Sequence, residues 1–517
     1  MKKIAKFLIV LGMMGQLSSC DYLDIVPDER AQESDTWKTE GAVRGYLYSC
    51  YGYLPANRTF GNSYWLAEEL TAVTKELFTT FKYGYYSPVS LGFTSNTWST
   101  IWNGIHQCYM FQESLKQVSN EYVTDEMKKQ YLAESNFLIA YYHFLSMRSY
   151  GPTMIIRSVI DLETPISGFP ERSSIDEVVA FINEKLDEAM SEGGLPTTWS
   201  GKDYGRATRL AALALKSRVY LYAASPLYNG NTEMYADFRS PLDGRQLIAQ
   251  EKSQAKWEIS ATQTKYAIDE VEKAKFHLYH DADAGEPSDA KPGLPNKAQR
   301  RLRYTNIDNQ TGNNPEIIWA DTRNDDYYGI QRRCPPRQTL GGKFAGISMT
   351  NCPTLQTIEA FYTKNGLPIN KDKTFDYDER YEYISAPENC DGNNYEDLVK
   401  YANFTPSSDK VMRLCTDREP RFYAWTTYHN GYFEFGKYNN EEISADPAKR
   451  AIRIHLLRDD PHGRGNRTDQ EYSISGFGNK KGVVPSAEWN VIEYPFPLFR
   501  LAELYLNYAE ALVELDR

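Results

Sequence analysis

Residues 206–224 interleave small and large apolar side chains at helical spacing: Ala207, Ala211, Ala214 and Ala223 alternate with Leu215, Val219 and Tyr222. A helix built this way lets its neighbours come close, because alanine leaves room where helix axes cross. Residues 125–149 carry a second signal. Leu132, Phe137, Ala140, Tyr141, Phe144 and Leu145 recur at three- and four-residue steps, giving an apolar stripe. Gly151-Pro152 stops that helix, and Ser174 with Glu177 reads as a capping box opening the next. Further helical stretches cover 97–118, 174–192, 253–276 and 499–516.

Pairs of amphipathic helices with alanine at their contacts are similar to tetratricopeptide repeats. The usual ~34-residue period of such repeats is broken here by polar insertions rich in Gly, Pro and Asn, at 57–96, 225–250, 281–315, 321–353 and 363–497. The expected fold is therefore mainly α: a tetratricopeptide-like helical-pair scaffold carrying long loop and short-strand insertions. Loops held on a rigid scaffold are where binding function concentrates. The last helix is apolar on two stripes, Leu501, Leu504, Tyr508 and Leu512 on one and Leu506, Ala509 and Val513 on the other. A helix of that kind needs cover on both sides, so the chain reads as truncated at its C-terminus, with a partner helix beyond Arg517.

At the other end, Lys2, Lys3 and Lys6 form a positive region before the apolar run Phe7 to Leu17, and Ser18 and Ser19 precede Cys20. This is the layout of an export signal, and its apolar run is too short for the ~20 residues a membrane-spanning helix requires. Leu17-Ser18-Ser19-Cys20 resembles a bacterial lipobox. Residues 1–19 then read as a lipoprotein signal peptide, Cys20 as the lipidated first residue, and 20–517 as a single domain. Its scaffold helices lie at about 97–276 and 499–517, and its ligand-face insertions at about 57–96 and 281–497.

The formal net charge is −11, and loss of the three signal lysines takes it to −14. That balance argues against binding nucleic acid through bulk charge. Besides Cys20, cysteines stand at 50, 108, 334, 352, 390 and 415, far apart and without a CxxC pair. They read as small buried residues rather than a disulfide framework or zinc site. Tyrosine (39) far outnumbers phenylalanine (22). Its ring with a polar tip suits half-wet surfaces such as sugar-binding platforms, although helix packing accounts for most of these rings.

Catalytic signatures are missing. The chain has no GxSxG elbow, HExxH, Walker A loop or GxGxxG. His277-x-x-His280 has no carboxylate or cysteine at matching spacing and reads as a surface pair at a helix end. Asp281-x-Asp283 before Gly285 has neither the glycine nor the glutamate position of a calcium loop and reads as a solvated acidic turn. No cofactor or metal site is expected.

Several blocks together resemble one family. Cys20-Asp-Tyr-Leu-Asp24 with Pro27, A-E-S-N-F-L-I-A-Y-Y-H-F (133–144) ending in S-Y-G-P (149–152), and R-A-T-R-L-A-A-L-A-L-K-S-R-V-Y-L-Y (206–222) come first. N-P-E-I-I-W-A (314–320), Y-T-K-N-G-L-P-I (362–369), D-R-E-P-R-F-Y (417–423) and R-L-A-E-L-Y-L-N-Y-A-E-A (500–511) follow in order. The set resembles the SusD/RagB family of nutrient-binding lipoproteins from Bacteroidetes. The resemblance implies four tetratricopeptide-like pairs and no catalysis. It implies capture of oligosaccharide at the cell surface for a SusC-like TonB-dependent transporter, with attachment to the outer membrane through the lipid anchor. Peptide or other nutrient capture on the same scaffold is the alternative, and a lipid-anchored glycosidase is a more distant one.

Two insertions combine aromatic rings with charged or amide partners, as sugar faces and hydroxyls require. Residues 78–93 carry Tyr83, Tyr85 and Tyr86 beside Lys82, and 321–333 carry Tyr327 and Tyr328 beside Arg323, Asn324 and Asp325. These are the candidate ligand contacts. Trp98 and Trp102, four residues apart, read instead as a buried helix face. Because acyl chains contribute ~0.8 kcal/mol per buried CH₂, Cys20→Ala should release the chain from membranes when the transporter gene is deleted. Fractionation that leaves this variant membrane-bound at the wild-type level contradicts the anchor.

Overall fold

The computed structural model describes residues 37–55, 69–72, 93–161, 163–284, 297–308, 314–323, 329–336, 349–385, 410–434, 451–460, 462–465, 472–484 and 493–517. It is mainly helical. Helices α1 (Glu40–Tyr51), α2 (Phe93–Leu115), α3 (Asp125–Tyr150), α4 (Ile175–Ala189), α5 (Arg209–Ala224) and α6 (Gln254–Lys273) pack each against the next. After two short helices that border the insertions, α7 (Lys297–Tyr304) and α8 (Pro420–Trp425), the chain returns as α9 (Leu501–Glu514), which lies on α6 and α5. This is the expected scaffold, with α1 an addition that the periodicity did not announce.

Local signals set the helix ends. Thr124 caps α3 by accepting from Met127 N–H, and Ser174 and Glu177 form the reciprocal capping box that opens α4. Gly151 ends α3 at φ +72°, a left-handed conformation that favours glycine. The interior of α3 departs from the expected stripe. From Phe137 to Met147 every side chain is buried, because α2 covers one side, α4 another, and α5 with the strands below closes the rest. A helix surrounded in this way presents no solvent face.

Full burial brings polar groups of α3 inside, and Glu134, Ser135, His143 and Ser146 all find partners. Tyr51 Oη donates to Glu134 (2.7 Å) and accepts from Ala207 N–H (2.9 Å). Arg206 Nε donates to Glu134 at 3.1 Å, and its Nη1 donates to Asp203 at 2.8 Å. The guanidinium lies flat over Trp199, 4.1 Å from the ring centre. Burial raises the Glu134 carboxyl above the usual carboxylate range, and Arg206 only partly offsets that. At the far end of the scaffold, Asn507 donates to Ser217 (3.1 Å), which shares a hydrogen bond with Thr264 (2.8 Å). That chain joins α9, α5 and α6.

Among the described residues, twelve short strands pair antiparallel in twos. Those used below are β1 (Leu70–Thr71), β2 (Ile317–Asp321), β3 (Cys352–Pro353), β4 (Thr426–Thr427), β5 (Gly478–Asn479) and β6 (Phe496–Arg500). β2 and β6 join the insertions to the scaffold. They pair with Phe499 opposite Trp319, and their register shifts on either side of Phe499. Trp319 meets Phe137 and Tyr141 of α3 edge-on at 5.0 and 5.2 Å and stacks on Phe499 at 5.8 Å. Arg218 of α5 covers the outer face of Phe499 at 4.0 Å and binds Glu503 through two bonds of 2.6 Å. The insertions build smaller cores of their own, one around Phe422, Tyr428 and Ile369 and another around Phe433, Ile454 and Met349.

Cys50, Cys108, Cys334, Cys352 and Cys415 are buried, as expected of small buried residues; Cys390 lies outside the described residues. On α9, Leu501, Leu504, Asn507 and Ala511 are buried, while Leu506 and Val513 are 70 and 71% exposed. One of the two expected stripes is therefore covered and the other faces outward.

Two stability tests follow from these buried groups. Removing one member of a buried ion pair leaves the other unpaired at a cost of roughly 3–5 kcal/mol, so Arg206→Leu should lower the urea midpoint by that equivalent and Glu134→Gln by less. A midpoint unchanged in Arg206→Leu contradicts the role given to the pair. His143 is the second. Its Nε2 accepts from Ile156 N–H (3.3 Å), so Nδ1–H donates to the Ile139 carbonyl (2.8 Å) and the ring is neutral. Burial lowers its pKa from the ordinary 6.5 to about 4. The unfolded chain takes up this proton near pH 6.5, whereas the folded one resists until about pH 4. Stability is therefore retained above pH 6.5 and falls by up to ~3 kcal/mol between those limits. Urea melts of wild type and His143→Gln across that range should differ in slope; parallel curves contradict it.

Candidate ligand-binding cleft

A cleft of about 530 Å³ opens where the insertions meet β6. Its apolar lining is Trp425, Phe361, Tyr494, Phe496, Leu70 and Ile330, and its polar groups are Glu69, Asn306, Thr357, Asn479, Lys481 and Arg500. These residues arrive from seven separate parts of the chain, each placed by local chemistry. β1 pairs with β3, with Leu70 opposite Pro353. The Glu69 carbonyl then accepts from Thr354 N–H and Thr357 Oγ1, both at 3.0 Å, which leaves the exposed Glu69 side chain at the rim.

Phe361 is held from behind by Arg418. That buried guanidinium donates to the carbonyls of Ile358 (2.7 Å), Phe361 (2.6 Å) and Leu414 (2.6 Å) and lies 4.8 Å over Phe422. Burial brings its pKa down to about 10. Trp425 ends α8. Its indole N–H donates to the Leu302 carbonyl (3.1 Å), and its own carbonyl accepts from Lys480 N–H (2.7 Å). The turn after β5 packs on that ring. The Lys481 ammonium stands 4.7 Å over Trp425, and Asn479 ties the turn by accepting from Lys481 N–H and donating to its carbonyl. Gly482 follows at φ +77°, with its carbonyl accepting from Tyr494 Oη at 2.7 Å.

Desolvation first, then Arg500 and Arg421, push the Lys481 ammonium below the ordinary lysine value against the pull of Glu69. Arg500 is braced by Glu316 at 2.7 Å. The cleft thus presents flat apolar rings with charged and amide groups at its edge. Such a surface takes ligands with apolar faces and hydroxyl or charged rims.

Of the residues expected from the sequence, Tyr83, Tyr85, Tyr86, Asn324, Tyr327 and Tyr328 lie outside the described residues, as do Lys82, Asp325 and Cys20. Arg323 is described and does not line the cleft. It donates to Asp321 through Nε (2.9 Å) and Nη2 (2.7 Å) and to the carbonyls of Leu54 (2.8 Å) and Pro55 (2.9 Å), clasping the end of β2 to the segment after α1. Trp102 packs on the core as expected. Trp98 sits at its edge, with its ring against Trp102 (5.3 Å) and Tyr150 (4.9 Å). The lining of the cleft was not singled out in the sequence, although Trp425, Lys481 and Tyr494 all belong to the 363–497 insertion.

A helical-pair scaffold whose insertions enclose an aromatic cleft defines a class of binding protein, and comparison with known proteins gives its family. Residues 21–221 match the family described as starch-binding associating with outer membrane, and residues 315–517 match the SusD family. The solved structure of BT4246 is 27% identical with a TM-score of 0.74, over 92% of this chain and 79% of that one. A SusD-like protein (BF3747) from Bacteroides fragilis is 20% identical with a TM-score of 0.62, over 95% and 78%. A SusD-like carbohydrate binding protein (BF0978) from the same organism is 18% identical with a TM-score of 0.55, over 93% and 75%. No curated protein matches. The chain belongs to the SusD/RagB family. Among the described residues no helix is long and apolar enough to cross a membrane.

Proposed function

We propose that this chain is a non-catalytic, lipid-anchored capture protein that holds oligosaccharide in the cleft and passes it to a SusC-like TonB-dependent transporter in the outer membrane. The observation that carries this reading is the cleft itself, where Trp425, Phe361 and Phe496 offer ring faces beside Lys481, Asn479, Arg500 and Glu69. Sugar C–H faces pack on such rings, and sugar hydroxyls bond to the groups at the rim. One family match is named for starch binding in association with the outer membrane, and the related BF0978 is named as carbohydrate binding. Glycoside hydrolysis needs two carboxyl groups flanking the bond, ~5–10 Å apart; among the described residues, Glu69 is the carboxylate that lines the cleft. The tyrosines of 83–86 and 327–328 are proposed to extend the same face.

Affinity electrophoresis in polysaccharide gels, paired with a reducing-sugar assay, tests both halves of this proposal. Retardation without product is expected. With the retained glycan in titration calorimetry, Trp425→Ala should weaken binding about fivefold, since an aromatic contact of this kind contributes on the order of 1 kcal/mol. Circular dichroism on the same sample checks that the variant is folded. Tyr85→Ala and Tyr328→Ala should weaken binding by a similar factor. Undiminished affinity when Trp425 is replaced moves the site away from the cleft, and release of reducing ends overturns the non-catalytic reading.

A further inference from the structure

We infer that His277, His280 and Asp283 form a binding site for a borderline transition-metal ion of the zinc, nickel or copper class. Along the chain the histidine pair has no partner at a familiar spacing, and the fold supplies one. Between His277 and Asp283 the chain turns at His280, whose carbonyl accepts from Asp283 N–H at 3.1 Å. The Asp283 carboxylate comes to 3.3 Å from His277 Nε2, and the imidazoles stack with centres 5.1 Å apart. One donor atom from each of the three residues lies within 4.8 Å of the others.

The segment is anchored so that these side chains face outward together. His277 N–H donates to the Pro315 carbonyl (3.1 Å). Tyr279, between the two histidines, is buried, and its N–H donates to Glu316 (2.9 Å) while its hydroxyl donates to Asp308. Both histidines are exposed on either side of it. Asp283 is oriented by accepting from His280 N–H at 2.6 Å. A hydrogen bond that fixes a ligating side chain is what preorganises a metal site. His277 Nδ1 lies 3.5 Å from the Lys275 carbonyl. Nε2–H of His277 donates to Asp283 Oδ1 at 3.4 Å, and a bound metal would displace that proton.

The donor set selects the ion. Two imidazole nitrogens with one carboxylate suit zinc, nickel or copper, whereas calcium and magnesium require oxygen ligands. With metal–nitrogen and metal–oxygen bonds of about 2.1 Å, tetrahedral ligand atoms sit about 3.4 Å apart. The His277–Asp283 edge already has that length at 3.3 Å. The remaining edges, at most 4.8 Å long, close by up to about 1.4 Å on rotation of an exposed ring, within the reach of ordinary rotamers. Three protein ligands leave a fourth position open to water or to a group from outside.

Titration calorimetry of the full chain, in detergent and without a histidine tag, tests the site with zinc chloride as the probe. One saturable equivalent is expected, with no comparable binding of calcium chloride. His277→Ala, His280→Ala and Asp283→Asn should each weaken zinc binding at least ~10-fold, the loss that even supporting residues of metal sites produce. Zinc should raise the melting temperature of wild type and not of the His277→Ala/His280→Ala variant, because an ion that binds only the folded chain stabilises it. Zinc binding of unchanged affinity in that double variant would place the ion elsewhere, for instance at His429, His455 and His462, and overturns the assignment. So does the absence of saturable binding in wild type, or a preference for calcium.

Discussion

Glu134 and Arg206 sit where three parts of the scaffold meet. Glu134 is fully buried within α3, Arg206 lies at the entry to α5, and Tyr51 at the end of α1 bridges between them. A carboxylate in such a place is tolerated only with a partner, and an arginine supplies a planar set of donors that stays charged under all ordinary conditions. The pair fixes how α1, α3 and α5 sit relative to one another. Apolar packing alone leaves that choice open, since alanine-rich faces slide past each other at little cost. The two family blocks at 133–144 and 206–222 each contribute one member, so their occurrence in one sequence has a direct physical reading.

The same logic carries outward to the cleft. β2 and β6 are distant in sequence yet pair across the lower face of α3, with Trp319 pressed between two aromatic rings of that helix and Phe499. Arg218 closes the other side of Phe499 and anchors Glu503 at the start of α9. Phe496 and Arg500, at the two ends of β6, are thereby delivered to the cleft wall on a strand that cannot shift without disturbing the scaffold core. Glu316 links this wall to the turn after α6, since one of its oxygens takes Arg500 and the other takes the Tyr279 amide. The rigidity needed at a binding surface is supplied by these aromatic and charged contacts, because the paired strands are too short to hold position through hydrogen bonds of their own.

Several parts of this arrangement are readable from residues close together in the chain. The helix spans, the capping box at Ser174 and Glu177, the stop at Gly151 and the isolation of the cysteines rest on local backbone chemistry, so they survive translation from sequence to structure. The stripe expected on α3 does not, because periodicity reports which face is apolar and says nothing of how many neighbours a helix will have. Arg323 shows the opposite difficulty. A loop arginine beside aromatic residues has the composition of a ligand contact, yet its donors in the fold go to Asp321 and to carbonyls after α1, some 270 positions earlier.

What the sequence by itself determined is the scaffold: small and large apolar residues at helical spacing, interrupted by polar insertions and ordered in blocks of one family. That information is local, because helix formation depends on residues within a few positions of one another. The cleft, and the anchoring of the His277–His280–Asp283 cluster, were decided by tertiary structure. Glu69, Phe361, Trp425, Lys481 and Arg500 become neighbours only after β1 finds β3 and β6 finds β2. Even the His277–His280–Asp283 cluster, closed by a local turn at His280, is fixed in place by long-range bonds to Pro315 and Glu316. Sites of this kind depend on where side chains converge in space, and no spacing along the chain encodes that convergence until the long-range pairings close.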